Sequence, residues 1–504
     1  MLRFTKFRFV FAFACFMIMS AETPAQVASA LRDGNPKPAE VKPIELVVAP
    51  AATPIPPLRY RLLPLSSKLV PGDAAPIYLR LWAGMKGDSI HELEEKPYEF
   101  INKPLDQFDV AEARKVVDRW RNKLEQIHFA THRRTCDWNY TIPEQSERVV
   151  EILLPDAQEM RLWSRLIALK ERVEIADHRY DDAIQTIQDG LALSRHVATT
   201  PFLINQLMGA AIAQETLARV EELIARPDAP DLYWALAVLP SPLIDYREAL
   251  ENEEILIERM IPEIKEATRP HTDLEWVSLL VRIHARIVEL EKMSEQFTAM
   301  QRDQPLSTRT VAGALDRASI AMAMASPKGL KGALLKPARE SAKRLRALTD
   351  DAIAQLSEDQ LVVWYIYEQY RLIWDDSFKA SFLPYADSIE VDRAARERLK
   401  PVQASPLRSL AAMIPAIDAA RRAGVRLDAK IALLRTVEAI RLHAGMNGGS
   451  PPDNLEQIKI VPIPLNPLTE KPFTYRREGE SAIVEAEKPL MKGPVLGYRI
   501  TIRR

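Results

Sequence analysis

From about Pro104 to about Gly448 apolar residues return at steps of three and four, with polar residues filling the intervals. Ala113, Val117, Trp120, Leu124 and Ile127 form one such stripe, opened by Asp109 and Glu112 in capping-box spacing. The pattern predicts a helix from Asp156 to Ile175 through Met160, Trp163, Leu166 and Ile167. Another starts near Tyr180, with Ile184, Ile187 and Leu191 on one face. Thr200-Pro201 predicts an N-cap followed by proline at the first helical position, opening a helix to Arg226. Asp231 opens a short helix that stops at Pro240, and Ser241-Pro242 opens the next, to about Met260. Thr272 with Glu275 caps a helix to about Met293, and Ser357 with Gln360 caps one ending near Phe382. A last long helix, from about Pro415 to Met446, carries Leu433, Leu434, Val437, Ile440 and Leu442 around much of its surface. Roughly ten to twelve helices joined by short links predict a mainly α fold, an array of α-α hairpins.

Past Asn447 the period changes. Gly448-Gly449 ends the long helix. Leu455, Ile458, Ile460, Val461, Ile463 and Leu465 can pack, but prolines at 462, 464 and 467 forbid a continuous ladder. An irregular strap is expected there. Alternation starts at Phe473 and Tyr475, turns at Arg477-Glu478-Gly479-Glu480, and returns through AIVEA. A third strand, GYRITIRR, sets Tyr498, Ile500 and Ile502 against Arg499, Thr501 and Arg503. The expectation is a small α+β cap: the long helix plus an antiparallel hairpin or three-stranded sheet.

The other end of the chain reads as an export signal. MLRFTKFR is basic, and Phe9 to Ala21 is an apolar run of 13 residues, short of the roughly 20 that a bilayer span needs. An uncleaved anchor is the rival reading. Residues 22–57, rich in proline and alanine, are expected to be an extended linker. The predicted organisation is therefore a signal peptide over 1–21, a linker over 22–57, the helical array over 58–400 and the cap over 401–504. Removing the leader takes Lys+Arg from 68 to 65 against 69 Asp+Glu, a balance that gives no footprint for nucleic acid. Of two cysteines only Cys136 lies beyond the leader, so no internal disulfide is expected.

Ile167 to His196, IALKERVEIADHRYDDAIQTIQDGLALSRH, resembles a tetratricopeptide repeat. An aromatic ends the turn, Ala183 lets the second helix approach the first, and Gly190 holds another small-residue position. Glu171 stands where that family keeps a small residue, and Arg195 where it keeps proline. The resemblance implies helix-hairpin packing of a tetratricopeptide-like superhelix. The stretch from Leu433 to Glu480, with PPLRYRLLP, PGDAAPIYLR and PSPLIDYREALE, resembles uncharacterised exported proteins of planctomycete-type bacteria. The same C-terminal stretch is more distantly similar to the soluble part of type II secretion pseudopilins.

Two constellations carry candidate chemistry. His128, His132 and Cys136 are spaced as three metal ligands: the histidines share a helix face and the thiol closes the set. The alternative is that they merely flank the apolar stripe after Ile127. Trp364, Tyr367, Tyr370, Arg371 and Trp374 form an aromatic stripe on which a sugar or peptide can stack, or which is packed core. Acidic pairs such as Asp375-Asp376 point about 100° apart on a helix and do not converge by themselves. There is no G-x-S-x-G, P-loop, Rossmann or Cys-x-x-Cys motif, and no cofactor is called for. The function expected is an exported, non-catalytic scaffold or protein- or peptide-binding protein of the bacterial cell envelope. The alternatives are an envelope hydrolase acting on glycans and a secretion-apparatus component. Protein or peptide partners are expected, with membrane contact only through the N-terminal segment and none with nucleic acid.

Overall fold

A computed structural model describes residues 43–83, 85, 87–140, 155–300, 322, 324–411, 414–486 and 496–503. The fold is mainly α with a small C-terminal sheet, as the periodicity predicts. The expected leader and most of the expected linker lie outside the described residues. Among the described residues no helix is long and apolar enough to cross a membrane.

The chain divides into two compact units. The first comprises the described parts of residues 18–140, 154–249 and 420–504, and the second those of residues 250–419. Helices of the array expected over 58–400 fall in both units, and residues 420–504 group with the earlier ones.

In the first unit the helices are α1 (Ala75–Arg80), α2 (Gly87–Ile101), α3 (Val110–Arg119), α4 (Arg121–Thr131), α5 (Pro155–Ala176), α6 (Tyr180–Val197), α7 (Leu203–Ile224) and α8 (Tyr233–Ala237). Helices α9 (Arg247–Met260) and, after the second unit, α17 (Ile414–Met446) cross its boundaries. Helices α5, α6 and α7 pack on one another in sequence, the hairpin arrangement expected from the apolar stripes. Asp109 caps α3 by accepting from the Glu112 N–H at 3.1 Å. Two predicted starts moved. Thr200-Pro201 does not open α7, whose N-cap is Phe202. Ser241-Pro242 does not open α9 either; Asp245 Oδ1 accepts from the Arg247 N–H where the helix begins. In both places a further residue or more of loop is needed before the backbone turns helical, and proline placement alone does not register it.

The fully buried Glu171 occupies space that a small residue on the facing helix leaves open. A Cβ on Gly190 would lie 3.1 Å from Glu171 Oε1 and 2.5 Å from Thr216 Oγ1. Burial pushes the Glu171 carboxyl well above its usual range.

The second unit contains α10 (Glu263–Glu266), α11 (Asp273–Met300), α12 (Pro327–Arg346), α13 (Asp350–Ala354), α14 (Glu358–Ser381), α15 (Tyr385–Gln403) and α16 (Arg408–Ala411). Helix α14 is its centre and packs against α11, α12 and α15. Both capping boxes fall where predicted: the Thr272 N–H donates to Glu275 Oε2 at 2.7 Å, and the Gln360 N–H donates to Ser357 Oγ at 3.2 Å.

The sheet belongs to the first unit. Strands β2 (Val70–Asp73) and β3 (Arg133–Thr135) form a short parallel pair. The main sheet has β1 (Ile44–Val48), β4 (Thr474–Glu478), β5 (Ser481–Ala486) and β6 (Leu496–Ile502) in the order β1-β6-β5-β4. The hairpin β4–β5 turns at Gly479-Glu480, as expected. The fourth strand is the departure. Residues 44–48, assigned to the extended linker, pair in parallel with β6 from Ile44↔Tyr498 to Val48↔Ile502. ELVV alternates enough to bury Leu46 and Val48.

The strap from 447 to 473 is held as a clasp. Leu455, Ile458, Val461, Leu468 and Phe473 are buried, while Ile460 and Leu465 are exposed. Tyr475 donates its hydroxyl to the Pro452 carbonyl at 2.6 Å, and Tyr233 donates to that of Pro462. On the opposite end of the chain, Ala51 lies so close to α17 that a Cβ at Gly445 would meet its carbonyl oxygen at 2.2 Å. Backbone cannot give as a flexible side-chain tip does. Gly445→Ala is therefore expected to cost about 1–3 kcal/mol, as overpacking does, read as a lowered midpoint in urea. An unchanged midpoint contradicts the close approach.

Candidate functional site

Helix α4 buries Leu124, Ile127, Ala130 and Thr131, and this face sets His128 and His132 along its edge, one turn apart. Their rings lie 4.2 Å apart between centroids. Helix α6 brings Asp189 to them. His128 Nδ1 lies 3.0 Å from both carboxylate oxygens, and the Thr131 hydroxyl donates to Oδ1 at 2.6 Å. His132 Nδ1 is 2.9 Å from the His128 carbonyl, which can only accept, so that nitrogen carries the hydrogen. Asp189 is buried and His128 is partly open. The hydrogen bond that His128 donates to Asp189 raises the His128 pKa above its ordinary value, against burial, which opposes it.

His128 and Asp189 line a cleft of about 710 Å³ formed by α3, α4, α5 and α6, wholly within the first unit. Its volume is in the range of small-ligand and peptide sites. The cleft is bipolar: Arg114, Arg121, Lys170 and Arg179 face Asp118, Glu125, Glu174, Asp177 and Asp189. Many of these charges are fixed by neighbours. Arg114 pairs with Asp177, and Lys170 with Glu174 at 3.1 Å. Thr186 bridges the Lys170–Glu174 pair, donating to Glu174 Oε2 at 2.6 Å. Burial raises the Glu174 pKa, and Lys170 opposes the rise. Among the apolar groups on the lining, Phe129 is 64% exposed.

Cys136 is not the third member of the histidine set. Among the described residues the convergent group is His128, His132 and Asp189. Cys136 follows β3, which carries its thiol to Thr199 and Asp73, and burial keeps that thiol protonated far above its ordinary range. A buried neutral thiol is a poor ligand. Asp189 was not visible in the sequence because α6 is buried on nearly every side, so no apolar face marks which polar residue points inward.

The aromatic stripe is dispersed along α14 of the second unit. Tyr370 and Trp374 are core residues, 6.3 Å apart between ring centroids, and their Oη and Nε1 have no hydrogen-bond partner among the described residues. They offer no stacking face. Trp364 is covered by the Arg346 guanidinium at 3.9 Å, and Arg371 is paired with Glu254 and Asp375. Tyr367 is half-buried. Because α14 packs on three helices, a stripe that looks one-sided in sequence is consumed by packing.

No family model, no curated protein and no solved structure matches the chain.

Proposed function

We propose that the chain is an exported, non-catalytic binding protein of the bacterial cell envelope, and that its ligand is a peptide segment carrying both signs of charge. The observation that carries this reading is the bipolar cleft on the helical hairpins with Phe129 open on its lining. Positive and negative groups lining one cleft favour a partner that presents both, and disfavour a polyanion. An exposed aromatic supplies the apolar anchor that such interfaces use.

A library of labelled short peptides tests it against the purified chain. Mixed-charge peptides are expected to bind, and Phe129→Glu is expected to weaken them about tenfold or more, the worth of burying one aromatic ring, with no change in thermal midpoint. Binding that ignores Phe129→Glu places the ligand elsewhere and overturns the reading.

The hydrolase reading has one observation in its favour. Glu174, with its raised pKa, shares the cleft with Asp177 and Asp189, and glycoside hydrolysis uses two carboxyl groups across a cleft. Release of reducing ends from cell-wall glycan by the purified chain, abolished in Glu174→Gln, would favour it over the binding protein.

A further inference from the structure

We propose that His128, His132 and Asp189 form a site for one divalent transition-metal ion of the zinc class at the α4–α6 end of the cleft. One ligand atom from each of the three lies within 4.8 Å of the others. Ligands held about 2.0–2.2 Å from a tetrahedral zinc stand roughly 3.3–3.5 Å apart. Side-chain rotations cover the difference, because the three come from two helices already packed on each other.

The donor types fit. Two imidazoles and one carboxylate suit zinc and its neighbours, and three protein ligands leave a fourth position for a water or a ligand group. His132 Nδ1 is committed to the His128 carbonyl at 2.9 Å, which leaves the Nε2 lone pair available. Thr131 bonds Asp189 Oδ1 at 2.6 Å and orients the carboxylate. Such supporting bonds are the usual accompaniment of metal ligands. Lys170, the cation that acts on His128, is itself neutralised by Glu174 at 3.1 Å. The site is reachable: the side chains of His128 and His132 are 38% and 22% exposed, whereas Asp189 is 8% exposed. A hydrogen-bonded knot tying α4 to α6 is the competing account of the same three residues, and it requires no ion.

Titration of the metal-stripped full chain separates the two. Zinc is expected to bind with one equivalent at micromolar affinity or tighter, and cobalt(II) to give the visible absorption of a low-coordinate site. Asp189→Asn and His132→Gln, each checked for unchanged helical circular dichroism, are expected to weaken zinc by more than about 10–100-fold, the loss caused even by removing a supporting partner. Cys136→Ser is expected to leave binding unchanged. The proposal is overturned by millimolar affinity, by binding indifferent to both Asp189→Asn and His132→Gln, or by loss of binding in Cys136→Ser alone.

Discussion

Arg441→Met is expected to cost about 3–5 kcal/mol, the effect of breaking a buried ion pair from one side. Arg441 and Glu438 are both fully buried on α17 and bonded to each other at 2.9 Å. The same guanidinium donates to the carbonyls of Ala49 at 3.0 Å and Ala229 at 2.9 Å. Glu438 in turn accepts from the Leu232 N–H at 2.9 Å. Methionine fills much of the volume but leaves Glu438 charged and two carbonyls without their donor. Asp231 adds to the strain on such a variant: burial and the facing Glu438 push its carboxyl up to about 10. Urea unfolding followed by circular dichroism measures the loss. A change below about 1 kcal/mol, the scale of an exposed pair, contradicts the buried clamp.

Trp163→Ala is expected to be of similar size, about 3–5 kcal/mol for a buried tryptophan. Trp163 has no exposed surface, and its ring centroid lies 5.2 Å from Trp82 and 5.9 Å from Trp120. Trp120 is the residue at which α3 ends and α4 begins. The trio therefore fixes the angle at which α4 carries its histidines toward α6. Trp163 Nε1 has no hydrogen-bond partner among the described residues. Trp163→Phe is accordingly expected to cost less than half as much as the alanine variant, since it keeps most of the apolar contact and breaks no polar one. Equal losses in the two variants, measured by urea unfolding, would contradict a purely packing role.

Local chemistry made much of this fold legible. Helix α5 begins and ends within a residue of the positions its stripe predicts, α6 begins where its stripe predicts, and the caps at Asp109, Thr272 and Ser357 act as their spacing implies. The hairpin at Gly479 followed from alternation plus one turn residue. What sequence reading lost was long-range. Ile44–Val48 sits in a proline-rich stretch, and its partner in the sheet is about 450 residues away, so no local pattern advertises the pairing. At the candidate site the i, i+4 spacing of His128 and His132 was informative because one helix supplies both. The third member was not, because tertiary packing chose Asp189 on α6 over Cys136, which is nearer in sequence. Nor can a stripe say how many neighbours its helix will have, which is why the sequence leaves platform and core open for Tyr370 and Trp374, which are core.

The first unit rests on residues 44–51 being fastened, with β1 paired to β6 and Arg441 of α17 gripping Ala49. Hydrogen exchange on the full chain measures this most directly. The β1 amides bonded to β6, and the Ala51 N–H that donates to the Arg441 carbonyl at 3.1 Å, are expected to exchange far more slowly than a free chain and to lose that protection in Arg441→Met. Exchange of residues 44–51 at free-chain rates in the unaltered protein, with β5 and β6 still protected, would contradict it.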